Sequence, residues 1–136
     1  MFESILEKGK FYKLEDSEIC NAEKRMDVKI PKDLVTFYKE IGYGFIENPY
    51  KDINRIMDPD SCADLRLRED IYEYDPALEA YESFEEKAFI FFEMDEGLYI
   101  SIGFNDGKIY IGDKKIAENL LEFLTNMSNP DYHIEL

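Results

Sequence analysis

The chain has few of the residues that mark disulfide-rich folds, fibrous proteins or histidine-based catalytic centres. It contains 2 cysteines, 5 prolines, 7 glycines and 1 histidine among 136 residues. The scarcity of proline and glycine excludes collagen-like structure and wholesale disorder. His133 is the only histidine, so no dyad of two histidines can form. We expect Cys20 and Cys62 to be free thiols in a reducing cytosol, with a single disulfide as the alternative.

Basic residues and long apolar runs are also scarce. The chain has 16 Lys and Arg against 31 Asp and Glu, a formal net charge of -15. It therefore lacks the basic footprint of a free-standing nucleic-acid-binding protein, and the same sign disfavours anionic membranes. No stretch approaches the ~20 apolar residues that span a bilayer. Residues 1–7 lack the pattern of a signal peptide. We therefore expect a cytoplasmic protein with a basic protein partner.

The clearest local pattern is a helix bounded by proline and glycine. The chain length and the 45% of apolar residues fit the core of a single domain spanning residues 1–136. Proline suits a first helical turn, and glycines can end a helix with positive φ. We expect positive φ at Gly42 or Gly44. The apolar stripe of this helix, at i, i+3, i+4 and i+7 after Pro31, consists of Leu34, Phe37, Tyr38 and Ile41.

Hydrophobic periodicity predicts an α+β fold in which helices pack mainly on one face of an antiparallel sheet. The run 88–94 has the length and composition of a central strand covered on both faces. It begins a meander with strands at 98–103 and 108–112, joined by turns at 95–97 and 105–107. Further segments are predicted as helices at 16–26, 59–68 and 116–127, a helix start near Asp75-Pro76, and short strands at 45–47 and 52–57.

The first third of the chain combines a helix with a glutamate, a hydrophobic-Pro step, a helix with aromatics and a glycine stop. The residues of this motif are Glu23, Met26, Ile30-Pro31, Leu34, Phe37-Tyr38 and Gly42-x-Gly44. In this order and at this spacing, the motif resembles the start of the SUKH superfamily. The resemblance extends over residues 14–127 and implies the same α+β architecture. It also implies a non-enzymatic protein, of the toxin-immunity or the regulatory-adaptor type.

Glu23 has two interpretations from the sequence. It lies at the edge of the apolar stripe of the first helix, where most glutamates are solvated. The resemblance instead implies a partly buried carboxylate that caps or braces the turn at Ile30-Pro31.

Negative charge concentrates in one segment. Between Asp58 and Glu96 there are 14 acidic residues against Arg66, Arg68 and Lys87, so this segment carries -11 of the total charge. Such a run is either a solubilising face or an electrostatic landing site for a basic partner. Tyrosines interleave with the acids and are typical of protein interfaces. The candidate partner-binding residues are Asp70, Tyr72, Glu73, Tyr74, Asp75, Glu79, Tyr81 and Glu82.

Three motifs imitate active or metal sites without matching their chemistry. Asp58-x-Asp60-x-Cys62-x-Asp64 with Glu69 has calcium-loop spacing, but Cys62 and Ala63 replace the required oxygen ligand and glycine. Pro59-Asp60 with Glu85-x-Lys87 has the form of a nuclease signature, yet a net charge of -15 would repel nucleic acid. No motif supports a cysteine-histidine pair. We expect no catalytic residue, no metal site and no cofactor.

The leading hypothesis is therefore a non-enzymatic immunity protein that binds and neutralises a basic toxin domain, with a nuclease as the expected class. The toxin class comes from the resemblance, and the charge asymmetry agrees with it. The alternative is an intracellular adaptor of the same fold without a toxin partner. A small hydrolase is the third possibility.

Overall fold

The computed structural model describes residues 1–48, 53–95 and 97–134. A seven-stranded antiparallel sheet runs through it, with the strands adjacent in sequence order from β1 to β7. The predicted α+β class is confirmed. The strands are β1 Gly9–Tyr12, β2 Tyr43–Ile46, β3 Asn54–Ile56, β4 Ala88–Met94, β5 Leu98–Gly103, β6 Ile109–Ile111 and β7 Lys114–Ala117.

Four α-helices and four 3₁₀-helices accompany this sheet within the described ranges. In these ranges, no helix has the length and apolar character needed to cross a membrane. The α-helices are α1 Asp16–Met26, α2 Lys32–Glu40, α3 Pro59–Leu67 and α4 Leu120–Met127. The 3₁₀-helices are Glu3–Lys8, Asp70–Tyr72, Pro76–Ala80 and Glu82–Phe84.

The α-helices bury one face of the sheet. Ile56, Phe92 and Ile100 lie side by side across β3, β4 and β5. Phe92 packs edge-on against Phe123 of α4, with ring centroids 5.0 Å apart. Because side chains alternate along a strand, the neighbouring row of Arg55, Glu93 and Tyr99 lies on the opposite face.

The predicted central strand is confirmed. β4 is the fourth of seven strands, and six of its seven residues are buried. Its register shifts between Ile90 and Phe92, so Phe91 is the extra residue of an irregular pair. Phe91 has no exposed surface and contacts Phe92 and Phe123 at centroid distances of 6.0 Å.

Both glycines after α2 have positive φ, as the sequence predicts. The φ values are 119° at Gly42 and 147° at Gly44. The chain also passes very close to β1 here. A Cβ on Gly42 would lie 1.9 Å from the carbonyl oxygen of Tyr12, and one on Gly44 2.1 Å from that of Lys10. Glycine therefore allows α2 to end and β2 to pair with β1 in the same turn.

Glu23 braces the turn before α2. Its Oε2 accepts a hydrogen bond from the backbone N–H of Ile30 at 2.9 Å, and its side chain is only 15% exposed. The carboxylate thus satisfies a donor at the Ile30-Pro31 step, where the proline itself has no N–H. The structure supports the second of the two interpretations of this residue.

Several boundaries differ from the sequence-based prediction. β1 was not predicted, and Ile116 lies in β7, whereas the sequence pattern placed it in the last helix. α1 begins at Asp16, and Glu15 before it forms a reciprocal capping box with Glu18. Two positions of predicted elements lie outside the described residues: Asp52 of the strand predicted at 52–57 and Glu96 of the turn predicted at 95–97.

The two cysteines are free, as expected, and their surroundings differ. Cys20 is exposed, whereas Cys62 is buried in α3. The Sγ of Cys62 lies 3.6 Å from the hydroxyl of Tyr38, and that hydroxyl donates to the carbonyl oxygen of Met57 at 2.6 Å. Burial raises the pKa of the Cys62 thiol from 9.0 to about 12 and also raises the pKa of Tyr38.

The raised pKa of Cys62 predicts a loss of stability at alkaline pH. The unfolded thiol ionises near pH 9 and the folded thiol near pH 12, so its contribution is full below pH 9 and falls as the pH rises. The expected slope is about 1.4 kcal/mol per pH unit for one group. Urea unfolding between pH 8 and 11 should show a flatter decline for Cys62→Ala. The exposed thiol provides the control, and an equal change of slope in Cys20→Ala would contradict this explanation.

Candidate partner-binding surface

The segment from Asp70 to Phe84 covers part of the sheet face opposite the α-helices. Asp75 begins the 3₁₀-helix Pro76–Ala80, its Oδ1 accepting from the N–H of Ala77 at 3.0 Å. The hydroxyl oxygen of Tyr81 accepts a hydrogen bond from the N–H of Tyr99 at 3.1 Å. The Tyr99 hydroxyl donates to Asp75 Oδ2 at 3.0 Å. These bonds fix the segment on β5.

Burial and the nearby carboxylates keep the Tyr99 hydroxyl protonated. Burial is the largest cause of its raised pKa, followed by the charge of Glu93 and the hydrogen bond to Asp75. The hydroxyl is thus held as the hydrogen-bond donor to Asp75.

Two of the predicted contact tyrosines belong to the core. Tyr72 is 4% exposed and Tyr81 is 8% exposed. The rings of Tyr81 and Tyr99 pack edge-to-face at 5.6 Å. Both rings are almost fully buried, and Tyr72 reaches only the wall of a surface depression, so we remove both from the candidate surface. Tyr74 is 86% exposed and remains in it.

Arginines pair with many carboxylates of the acidic run. Arg25 of α1 binds Asp60, Asp64 and Glu69 at 2.6–2.8 Å, and the hydrogen bonds that its guanidinium donates to Asp64 and Glu69 raise its pKa. Three carboxylates of the calcium-like motif thus surround a guanidinium group, and α1 is joined to α3. Arg68 pairs with Glu85, a residue of the nuclease-like motif.

Several acids of the run form no ion pair within the described residues, and the acids predicted to bind a partner are among them, as are Glu86 and Asp95. In the part of the chain that the structure describes, Asp70, Glu73, Glu79 and Glu82 form no ion pair and are exposed. We call these four, with the partly buried Asp75 and the exposed Tyr74, the acidic surface. A depression of about 390 Å³ is lined by five of its six members, Glu73, Tyr74, Asp75, Glu79 and Glu82.

The same sheet face carries exposed aromatic side chains beyond the acidic surface. Tyr12 is 51% and Phe45 is 43% exposed, and Tyr12 contacts Tyr43 with ring centroids 5.6 Å apart. Phe45 pairs across strands with Arg55, which places it on the face that holds Tyr99. We call Tyr12, Tyr43 and Phe45 the aromatic patch. The sequence-based prediction missed it, although the alternation of aromatic residues in 43–45 was a usable signal.

This architecture can be compared with known proteins. The family model described as SMI1-KNR4 cell-wall, SUKH_6, matches residues 16–124. The chain belongs to the SUKH family. It is 43% identical over 130 residues to a protein of Bacillus subtilis (strain 168) named "Immunity protein YxxD", and the match covers 93% of this chain and 88% of that protein. No solved structure matches this SUKH chain.

The structure gives the SUKH resemblance a physical basis. The glutamate of the motif, Glu23, bonds to the backbone at the hydrophobic-Pro step, and the glycine stop has the positive φ that the turn requires. The aromatic pair Phe37-Tyr38 lies on the buried side of α2. These residues connect α1, α2 and the start of β2, whereas the acidic surface lies on a different segment. The motif residues of this SUKH protein therefore have structural roles. Its partner is expected to bind elsewhere, at the surface.

Proposed function

We propose that this SUKH protein is an immunity protein that binds and neutralises a basic toxin domain, with a nuclease as the expected class. The similarity to Immunity protein YxxD supports the immunity role. The observation that carries the proposal is the acidic surface, whose exposed carboxylates have no cation among the described residues. Such a surface is complementary to a basic partner.

Its mode of action in this proposal is binding without catalysis. The whole chain, residues 1–136, acts as one cytoplasmic SUKH domain that covers a functional surface of the toxin. The acidic surface steers the encounter and pairs with basic side chains. The aromatic patch, on the same sheet face, contributes apolar contact area, which interface centres favour.

Co-purification from the native host tests the proposal first. A tagged protein should retain a basic polypeptide that mass spectrometry identifies, and that polypeptide should be toxic when expressed alone. A retained partner without toxicity would favour the adaptor hypothesis. Turnover of nucleic acid or esters by the pure protein would contradict a non-enzymatic role.

Tyr74 and Tyr72 should respond differently to truncation. Tyr74→Ala removes an exposed ring from the acidic surface and should weaken partner binding by about 1–2 kcal/mol with little change in its salt dependence, because tyrosine contributes area and no charge. Tyr72→Ala truncates a buried ring and should lower the free energy of unfolding by about 2–5 kcal/mol. Calorimetric titration with the partner and urea unfolding separate the two effects. Unchanged binding by Tyr74→Ala would remove this residue from the interface.

A further inference from the structure

Arg66 differs from the other arginines because it has no acidic partner. Arg25, Arg55 and Arg68 each lie within 4.0 Å of at least one carboxylate. Across the described residues, Arg66 makes no hydrogen bond or ion pair, and its Nη1 is buried without a partner. Its guanidinium carbon lies 5.3 Å from the ring centroid of Phe104. Burial of an unpaired charge costs free energy. Because the chain has almost twice as many acids as bases, a partly buried guanidinium without a carboxylate partner is unexpected.

The depression beside Arg66 is lined by more basic than acidic side chains. Arg66 lines this depression of about 620 Å³ together with Lys29 and Lys32, and Glu86 is the acidic residue in the lining. The Lys29 ammonium is 91% exposed and reaches Glu23 only at 3.9 Å. Lys32 is exposed and has no ion pair within the described ranges. Burial and the charge of Arg68 lower the pKa of Arg66, and the charge of Glu85 only partly offsets them.

We propose that this depression binds an oxyanion, either a carboxylate or a phosphate group. The Nε and Nη2 donors of the Arg66 guanidinium, on the edge away from the buried Nη1, form a pair that matches such oxygens, and the guanidinium carbon lies 5.3 Å from the centroid of the Phe104 ring. Lys29 and Lys32 add charge at the rim. The anion is either a free small molecule or an acidic group of the partner protein. This site is separate from the acidic surface and does not depend on its role.

Titration with inorganic phosphate and with acetate, followed by backbone NMR, tests the site directly. We expect saturable shifts for residues 28–32 and 66 in the wild-type protein. Arg66→Met, which keeps an apolar chain over Phe104, should weaken binding at least about tenfold. Lys39→Met removes an exposed lysine of α2 that does not line the depression, and it should bind like wild type. No saturable shift with either anion, or equal affinity in Arg66→Met, would overturn the proposal.

A second variant and a stability measurement exclude a merely structural role for Arg66. Because Arg66 is unpaired, Arg66→Met should leave the Tm unchanged or raise it. Lys32→Met changes only an exposed side chain and should weaken anion binding about two- to fivefold. Anion binding that is lost only in variants with a lowered Tm would overturn the proposal.

The source of the oxyanion is decided with the partner complex. If the group belongs to the partner, Arg66→Met should weaken the complex at least about tenfold, and phosphate should compete with the partner. If it is a free small molecule, the complex should be indifferent to Arg66→Met while phosphate binding still requires Arg66. Both results support the oxyanion site. Glu73 and Glu79 do not line this depression. The oxyanion proposal can therefore be wrong while the acidic surface still binds its partner, and the acidic-surface proposal can be wrong while the depression still binds an oxyanion.

Discussion

Phe91→Ala is expected to lower the free energy of unfolding by about 3–5 kcal/mol, the usual range for truncation of a fully buried aromatic side chain. Phe91 lies in the central strand, has no exposed surface and contacts Phe92 and Phe123. The irregular register at this point places two consecutive phenylalanines against α4. Its truncation would leave a cavity between the sheet and α4 that neighbouring side chains only partly fill.

The chain offers a matched control for this truncation. Phe45 is also a strand phenylalanine, but 43% of its side chain is exposed. Phe45→Ala should therefore cost less than about 1 kcal/mol. Urea unfolding at neutral pH measures both variants. A loss below about 1 kcal/mol for Phe91→Ala would be incompatible with its place in the core.

Replacing Glu73 and Glu79 with lysine should slow association with the basic partner about ten- to a hundredfold at low salt. Both carboxylates are exposed, lack ion pairs among the described residues and line the same depression. Charges of this kind act before contact, through long-range steering. The Debye length falls to about 8 Å at physiological ionic strength. The wild-type association rate should therefore decline steeply with salt and approach that of the variant.

The control for this prediction reverses two acids elsewhere. Glu7→Lys with Asp131→Lys changes the net charge by the same amount at exposed positions outside the acidic surface. Stopped-flow association at several salt concentrations should show much less slowing for this pair. If the off-rate also rises in Glu73→Lys with Glu79→Lys, these residues contact partner cations directly. If the association rate does not change with salt concentration, these carboxylates form only a solvated face.

The fold was predictable wherever its signals are local. The stripe of α2, the apolar run of β4 and the turn at Asp106-Gly107 each occupy a few consecutive residues. β1 could not be predicted because it is four residues long and pairs with β2 more than thirty residues away. Ile116 matched the helical spacing of α4 although it lies in β7, since a period of four fits both patterns over so short a segment.

The candidate surface was predictable in its charge and not in its burial. Counting acids locates the segment, but only tertiary structure shows that Arg25 binds Asp60, Asp64 and Glu69. The burial of Tyr72 and Tyr81 likewise depends on the sheet face beneath them, which the local sequence does not encode. The absence of a carboxylate partner for Arg66 among the described residues was also unpredictable. It depends on which acidic side chains other elements of the fold place near it.

Growth of cells that express the toxic partner tests the neutralisation proposal most directly. Co-expression of the wild-type protein should restore growth, and the control variant Glu7→Lys with Asp131→Lys should do the same. Glu73→Lys with Glu79→Lys should fail to protect, although it is present at the same level and unfolds at the same temperature. Equal protection by all three proteins would contradict a role for the acidic surface, and no protection by the wild type would contradict neutralisation itself.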